Sequence, residues 1–130
     1  MILLDTHVAI WLLSSPERLS SKAREAILNA QRAGEEIACS PVSLFEIAYA
    51  AHRKRLRLNV STEDFIKAME SRLQIVPLTA PISIQAAELP LHFHGDPMDR
   101  IIAATAIVED CPLLTADGRI RDAAVCKTLW

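Results

Sequence analysis

Residues 1–13 read MILLDTHVAIWLL. The opening run, Met1 to Asp5, is apolar until its acid. An unbroken short run of this kind suits a strand buried on both faces, as in the middle of a parallel sheet. Thr6 to Leu13 continues as a short helical segment. A signal peptide has a similar apolar run, but no basic region precedes this one, and Asp5 and His7 interrupt it. The stretch is therefore read as a buried strand followed by a helix, in a cytoplasmic protein. No segment approaches the roughly 20 apolar residues of a membrane span.

The same alternation continues outward from this start. SSPERLS is a linker, and Ser21 to Ala33 is a helix with Ala23, Ile27 and Ala30 on one face and Gly34 as its stop. EIACS is a second strand. Pro41 and Ser43 open a longer helix with Leu44, Ile47, Ala48 and Ala51 at helical spacing, and it ends in the basic run HRKRLRL. Residues 61–73 form a further helix, capped by Ser61 or Thr62 and with Glu63 and Asp64 at the positive end of its dipole. QIVPL is a third strand, Pro81 to Leu89 a short helix, PLHFHGDP a loop and Met98 to Val108 an apolar helix. CPLLTAD begins as a fourth strand, Gly118 to Asp122 turns or starts a short helix, and AVCKTLW holds a last edge strand. Strands that alternate with helices make the class α/β, one domain over residues 1–130 with a mostly parallel central sheet flanked by helices.

Composition supports one folded core. Of 130 residues, 51% are hydrophobic, which excludes disorder. The net charge is −2, so any polyanion must be met by local basic patches. Cys39, Cys111 and Cys126 are odd in number and far apart, which argues for reduced thiols and against a disulfide framework or a zinc site.

Four acids occupy comparable places in this pattern. Asp5 ends the first strand, Glu46 lies early in the helix after the second, Asp99 lies in the first turn of the helix before the fourth, and Asp117 follows the fourth. Ligands of an open parallel sheet bind beyond the carboxyl ends of its strands. Acids gathered there repel one another and raise each other's pKa values. A hard divalent cation, magnesium or manganese, relieves that repulsion through oxygen ligands, and can activate water and steady a leaving oxygen. That is the chemistry of phosphodiester hydrolysis.

Each acid also has a local reading. Asp5 can cap the helix after it, and Asp96, followed by Pro97, is a natural N-cap. Asp99 complements a helix dipole, Glu46 can pair with Arg53, and Asp117 precedes a glycine in a turn. Thr6 and Thr115 stand beside the first and last acids, where a hydroxyl can hold a carboxylate in place. Arg100, beside Asp99, can bind a phosphate or lock a neighbouring acid. Arg53, Lys54, Arg55 and Arg57 suit either phosphate contacts or a solvated helix end. His92 and His94 flank Phe93 in a loop read as a rim. No Walker loop, dinucleotide fingerprint or nucleophile triad is present.

Four pieces, LLDTHVAIWLL, SPVSLFEIAY, GDPMDRIIAATA and LLTADGRI, occur in one order across nearly the whole chain. Together they resemble the PIN-domain ribonucleases, in particular the VapC-type toxins of toxin–antitoxin pairs. The resemblance implies a three-layer PIN-like domain and a Mg²⁺- or Mn²⁺-dependent endoribonuclease that hydrolyses RNA through metal-activated water. It places the principal metal at Asp5 and Asp99, with Glu46 and Asp117 completing the pocket and Asp96 nearer its rim. Thr6 and Thr115 match commonly hydroxylated positions. It further implies a cognate antitoxin, a homodimer and higher-order complexes with the antitoxin. Phe45, Tyr49, Phe65 and Met69 are candidates for the floor of the antitoxin's groove. An RNA-processing or DNA nuclease of the same fold, and a non-catalytic regulator that binds nucleic acid or a partner, remain the alternatives.

Overall fold

The computed structural model describes all 130 residues. Strand β1 (Ile2–Leu4) leads into helix α1 (Thr6–Ser14), a 3₁₀ turn (Pro16–Arg18) and α2 (Ser21–Arg32). Then come β2 (Ile37–Cys39), α3 (Pro41–His52), α4 (Thr62–Arg72) and β3 (Gln74–Ile75). The chain finishes with α5 (Ala80–Glu88), α6 (Pro97–Val108), β4 (Leu113–Leu114), α7 (Gly118–Ala123) and β5 (Thr128–Leu129). The five strands lie in the order β3-β2-β1-β4-β5, and all four pairings are parallel.

The pleat explains why the sheet is covered on both sides. Successive side chains point to opposite faces, so Ile2 and Leu4 join one core while Leu3 joins the other. Ile37 and Cys39 part from Ala38, and Leu114 from Leu113, in the same way. One core takes Val8 of α1, Ala23 and Ile27 of α2, Ile47 of α3 and Phe65 and Met69 of α4. The other takes Ile82 and Ala86 of α5, Ile102 and Ala106 of α6 and Ile120 of α7. This is a three-layer α/β/α arrangement.

Helix ends follow the local chemistry of the sequence. Side chains of Asp5, Ser20, Ser40, Ser61, Thr79, Asp96 and Asp117 each accept a backbone N–H at a helix start. Four helices end with a residue in the left-handed region: Gly34 after α2, Lys54 after α3, Asp110 after α6 and Ala124 after α7. In the first three, two N–H groups fold back onto the last turn; after α3, Lys54 N bonds the Ala51 carbonyl and Arg55 N that of Ala50. This paired capping reverses the chain sharply. The third strand is shorter than the expected QIVPL and the fifth shorter than AVCKTLW. Both lie at the sheet's edges, where neighbours fix the ladder from one side only. Cys39 is buried and its thiol is pushed up to about 12 by desolvation, and Cys111 and Cys126 are raised by the same cause. No helix is long and apolar enough to cross a membrane.

Candidate active site

The strand order contains one reversal. The chain moves outward from β1 to β2 to β3, then returns to lay β4 and β5 on the other side of β1. The carboxyl ends of β1 and β4 therefore border a crevice at the reversal, where ligands of such sheets bind. Asp5 and Thr115 follow these two strands, and Thr115 Oγ1 donates to Asp5 Oδ2 at 2.7 Å. The other oxygen, Asp5 Oδ1, accepts the Thr6 backbone N–H at 2.7 Å. Asp5 thus caps α1 and is buried at the crevice at the same time. Both residues are fixed by the sheet itself, since Asp5 N extends the ladder to the Leu114 carbonyl.

Helices α1 and α3 bring the second acid. Thr6 Oγ1 donates to Glu46 Oε1 at 2.7 Å and accepts from Ser43 Oγ at 2.8 Å. Ser43 lies one turn before Glu46 on α3, so the two share a face. Helix α6 brings Asp99 from its first turn, and His94 Nε2 stands 2.6 Å from Asp99 Oδ2. Phe93 is buried beneath and stacks on the His94 ring at 4.6 Å, which holds the imidazole in place.

Burial raises the Glu46 carboxyl above its ordinary value; the Thr6 bond opposes this, while Asp99, Asp5 and Asp96 add to it. Burial likewise raises Asp99, His94 opposes it through its hydrogen bond and its charge, and Asp96 and Asp5 add. Asp5, Glu46, Asp96 and Asp99 therefore share one electrostatic neighbourhood. No lysine or arginine pairs with any of them.

The remaining expected residues have other engagements. Asp96 caps α6, accepting from Met98 N and Asp99 N, and sits exposed at the rim. Asp117 caps α7 and pairs with Arg119 at 3.4 Å. Its backbone N–H reaches Thr115 Oγ1 at 3.1 Å, so it joins the crevice through the threonine. Arg100 turns away from the acids: its guanidinium donates to the carbonyls of Ala86, Ala87, Leu89 and Phe93 and ties α5 and the following loop to α6. The phosphate role read for it above has no support in this geometry. Arg53 lies over the Tyr49 ring, not on Glu46. Phe65 and Met69 are core residues under α4, so they cannot floor an exposed groove, whereas Phe45 and Tyr49 are exposed and stacked at 5.6 Å. Sequence reading missed Ser43 and His94 as site residues. Ser43 left a signal, a polar side chain three residues before Glu46; His94 left none, because the loop that returns it to Asp99 has no periodic pattern.

Does this donor set fit a divalent cation? No three histidine, cysteine or acidic side chains stand close enough to ligate one ion directly. Magnesium, however, keeps several waters and takes one or two carboxylates. Asp99 Oδ1 and Glu46 Oε2 have no protein partner, and no buried polar side-chain atom lacks one, so both oxygens reach solvent. Hard oxygen donors, uncompensated negative charge and open carboxylate oxygens fit a hydrated ion rather than a dry cage.

Known proteins are similar to this chain in sequence and in fold. Residues 2–125 match the PIN domain family. Ribonuclease VapC22 of Mycobacterium tuberculosis is 38% identical over 120 residues, covering 92% of this chain and 89% of that protein. The crystal structure of VapBC2 from Rickettsia felis, bound to a DNA fragment from their promoter, superposes with a TM-score of 0.74 at 19% identity, over 98% of this chain and 97% of that one. DNA-bound VapBC from Salmonella typhimurium gives 0.70 at 18% identity, over 98% and 95%. These two likenesses concern the fold.

Proposed function

The chain belongs to the PIN-domain family, in its VapC-type branch, and from that premise we propose that it is a metal-dependent endoribonuclease, the toxin of a toxin–antitoxin pair. The observation that carries this reading is the group of acids at the β1/β4 reversal, Asp5 buried and Glu46 and Asp99 half-buried, with no lysine or arginine paired to any of them. Asp5 and Asp99 would hold Mg²⁺ or Mn²⁺, with Glu46 beside them and Asp117 supporting from the α7 cap. When bound, such an ion lowers the pKa of water and offsets charge on the leaving oxygen.

The chain's own residues prepare that site. Thr115 and the Thr6 N–H hold both Asp5 oxygens, so the carboxylate cannot swing. Thr6 and Ser43 orient Glu46 with one oxygen toward solvent. His94 holds Asp99 Oδ2 and leaves Oδ1 open. Fixed dipoles and charges of this kind need no reorganisation as the reaction proceeds. The expected products carry 5′-phosphate and 3′-hydroxyl ends. Relatives crystallised as DNA-bound VapBC support an antitoxin partner; a homodimer belongs to the same reading, and the exposed Phe45–Tyr49 pair is the candidate antitoxin contact.

The test is cleavage of pooled cellular RNA and matched DNA by antitoxin-free protein in EDTA, Mg²⁺ and Mn²⁺, with Asp99→Asn alongside. Discrete RNA cuts with 5′-phosphates, lost in EDTA and in the variant, are expected. Failure of the folded, metal-loaded protein to cut any RNA would sink the reading, and cutting confined to DNA would replace it with a DNA nuclease.

A further inference from the structure

A cleft of about 410 Å³ runs between α1 and α3 and opens on the acidic crevice at Thr6 and Glu46. Its walls carry Trp11, Arg18, Arg55 and Arg57. We propose that this cleft binds one flank of the single-stranded RNA substrate, with Arg18, Arg55 and Arg57 on successive phosphates. The proposal rests on the ribonuclease reading above and adds where the strand lies.

Three observations converge. The chain's ion pairs are Met1–Glu35, Lys67–Glu63, His94–Asp99 and Arg119–Asp117, so none of the cleft arginines has a carboxylate partner. Arg18 is held in place by the Trp11 ring, 4.7 Å from its guanidinium carbon, and Trp11 in turn packs on Trp130 at 5.6 Å. A cation fixed over an aromatic face loses less freedom when a phosphate arrives. Arg55 and Arg57 owe their place to the capped end of α3, where Lys54 at φ 57° turns the chain back on itself. The basic run is thereby divided: Arg53 stacks on Tyr49 outside the cleft, while Arg55 and Arg57 line it. A strand whose reacting phosphate meets the acids must carry its neighbouring phosphates along a surface of opposite sign. The cleft is the surface of that kind that adjoins Glu46.

The experiment measures binding of a fluorescent single-stranded RNA, about twelve nucleotides long, by anisotropy in EDTA across a salt series. Each phosphate contact on a single strand contributes about 0.7 to the slope of log affinity against log salt. Arg18→Ala, Arg55→Ala and Arg57→Ala should each lower the slope by about 0.7, and the triple variant by about 2. Arg→Lys at the same positions should keep it, and Arg32→Ala on the exposed end of α2 should leave it unchanged. A triple variant with the parent slope overturns the proposal. So does one that binds RNA normally but loses affinity for polyglutamate, which would make the cleft a site for an acidic protein segment. Absence of RNA binding by the parent protein overturns it too. A parent protein that shows the slope yet cuts nothing in Mg²⁺ would refute the nuclease reading and leave the cleft assignment standing. Cutting with unchanged slopes would do the reverse.

Discussion

Asp99 and Asp117 look alike in the sequence: each stands at the start of a helix beside the carboxyl edge of the sheet, and each is followed by an arginine within two positions. The structure separates them. Asp99 is raised by burial and by Asp96 and Asp5, and the adjacent Arg100 is occupied by backbone carbonyls. Asp117 is also penalised by burial, but N–H groups of Arg119 and Ile120 and the Arg119 guanidinium outweigh it and hold the carboxyl below its usual range. One acid is kept at an energetic disadvantage and the other is comfortable. A local motif does not decide which; the neighbours brought by other elements do.

The largest expected effect tests the contrast directly. Asp99→Asn should lower RNA cleavage about a thousandfold, the scale of losing several kcal/mol of charge stabilisation. Asp117→Asn should cost within about tenfold, since tenfold corresponds to about 1.4 kcal/mol. Equal losses in single-turnover rates would place both acids in one site and break the comparison.

Thr115→Val comes next. It removes the hydroxyl that donates to buried Asp5 and accepts the Asp117 N–H. Leaving a buried oxygen without its donor costs about 1–3 kcal/mol, to be read by urea unfolding. Asp117→Ala should cost about 1 kcal/mol, the worth of an N-cap.

The pH responses of the two acids have opposite signs. Asp99 binds its proton more tightly folded than unfolded, so ionising it destabilises the metal-free fold. That penalty is absent below the ordinary carboxylate value and grows as pH rises above about 4. Metal-free Asp99→Asn should therefore gain thermal stability over the parent as pH rises, and added Mg²⁺ should stabilise the parent only. Asp117 is lowered, so its contribution is present above about pH 4 and is lost as pH falls through its folded value. The advantage of the parent over Asp117→Asn should fade in that acidic window. The smallest effect belongs to Arg119→Ala, a few tenths of a kcal/mol, because its ion pair is exposed. Parallel pH profiles for Asp99→Asn and Asp117→Asn would erase the distinction.

Short-range physics made much of this protein legible from its residues. An apolar run ending at Asp5, alternating strands and helices, and the Asp96–Pro97 helix start all follow from periodicity and capping, which act over a few residues. So do the stop at Gly34 and the presence of acids at strand and helix ends. Family resemblance then tied those pieces to one fold. What the tertiary structure alone decided is which groups meet. Thr115 reaches Asp5 across 110 positions because the strand order reverses between β1 and β4. His94 finds Asp99, Arg100 is spent on carbonyls, and Arg55 and Arg57 fold back over Glu46's cleft while Arg53 does not. The reason is physical: hydrogen bonds and charge–charge energies depend on distance in space, and only topology sets that distance for residues far apart in the chain.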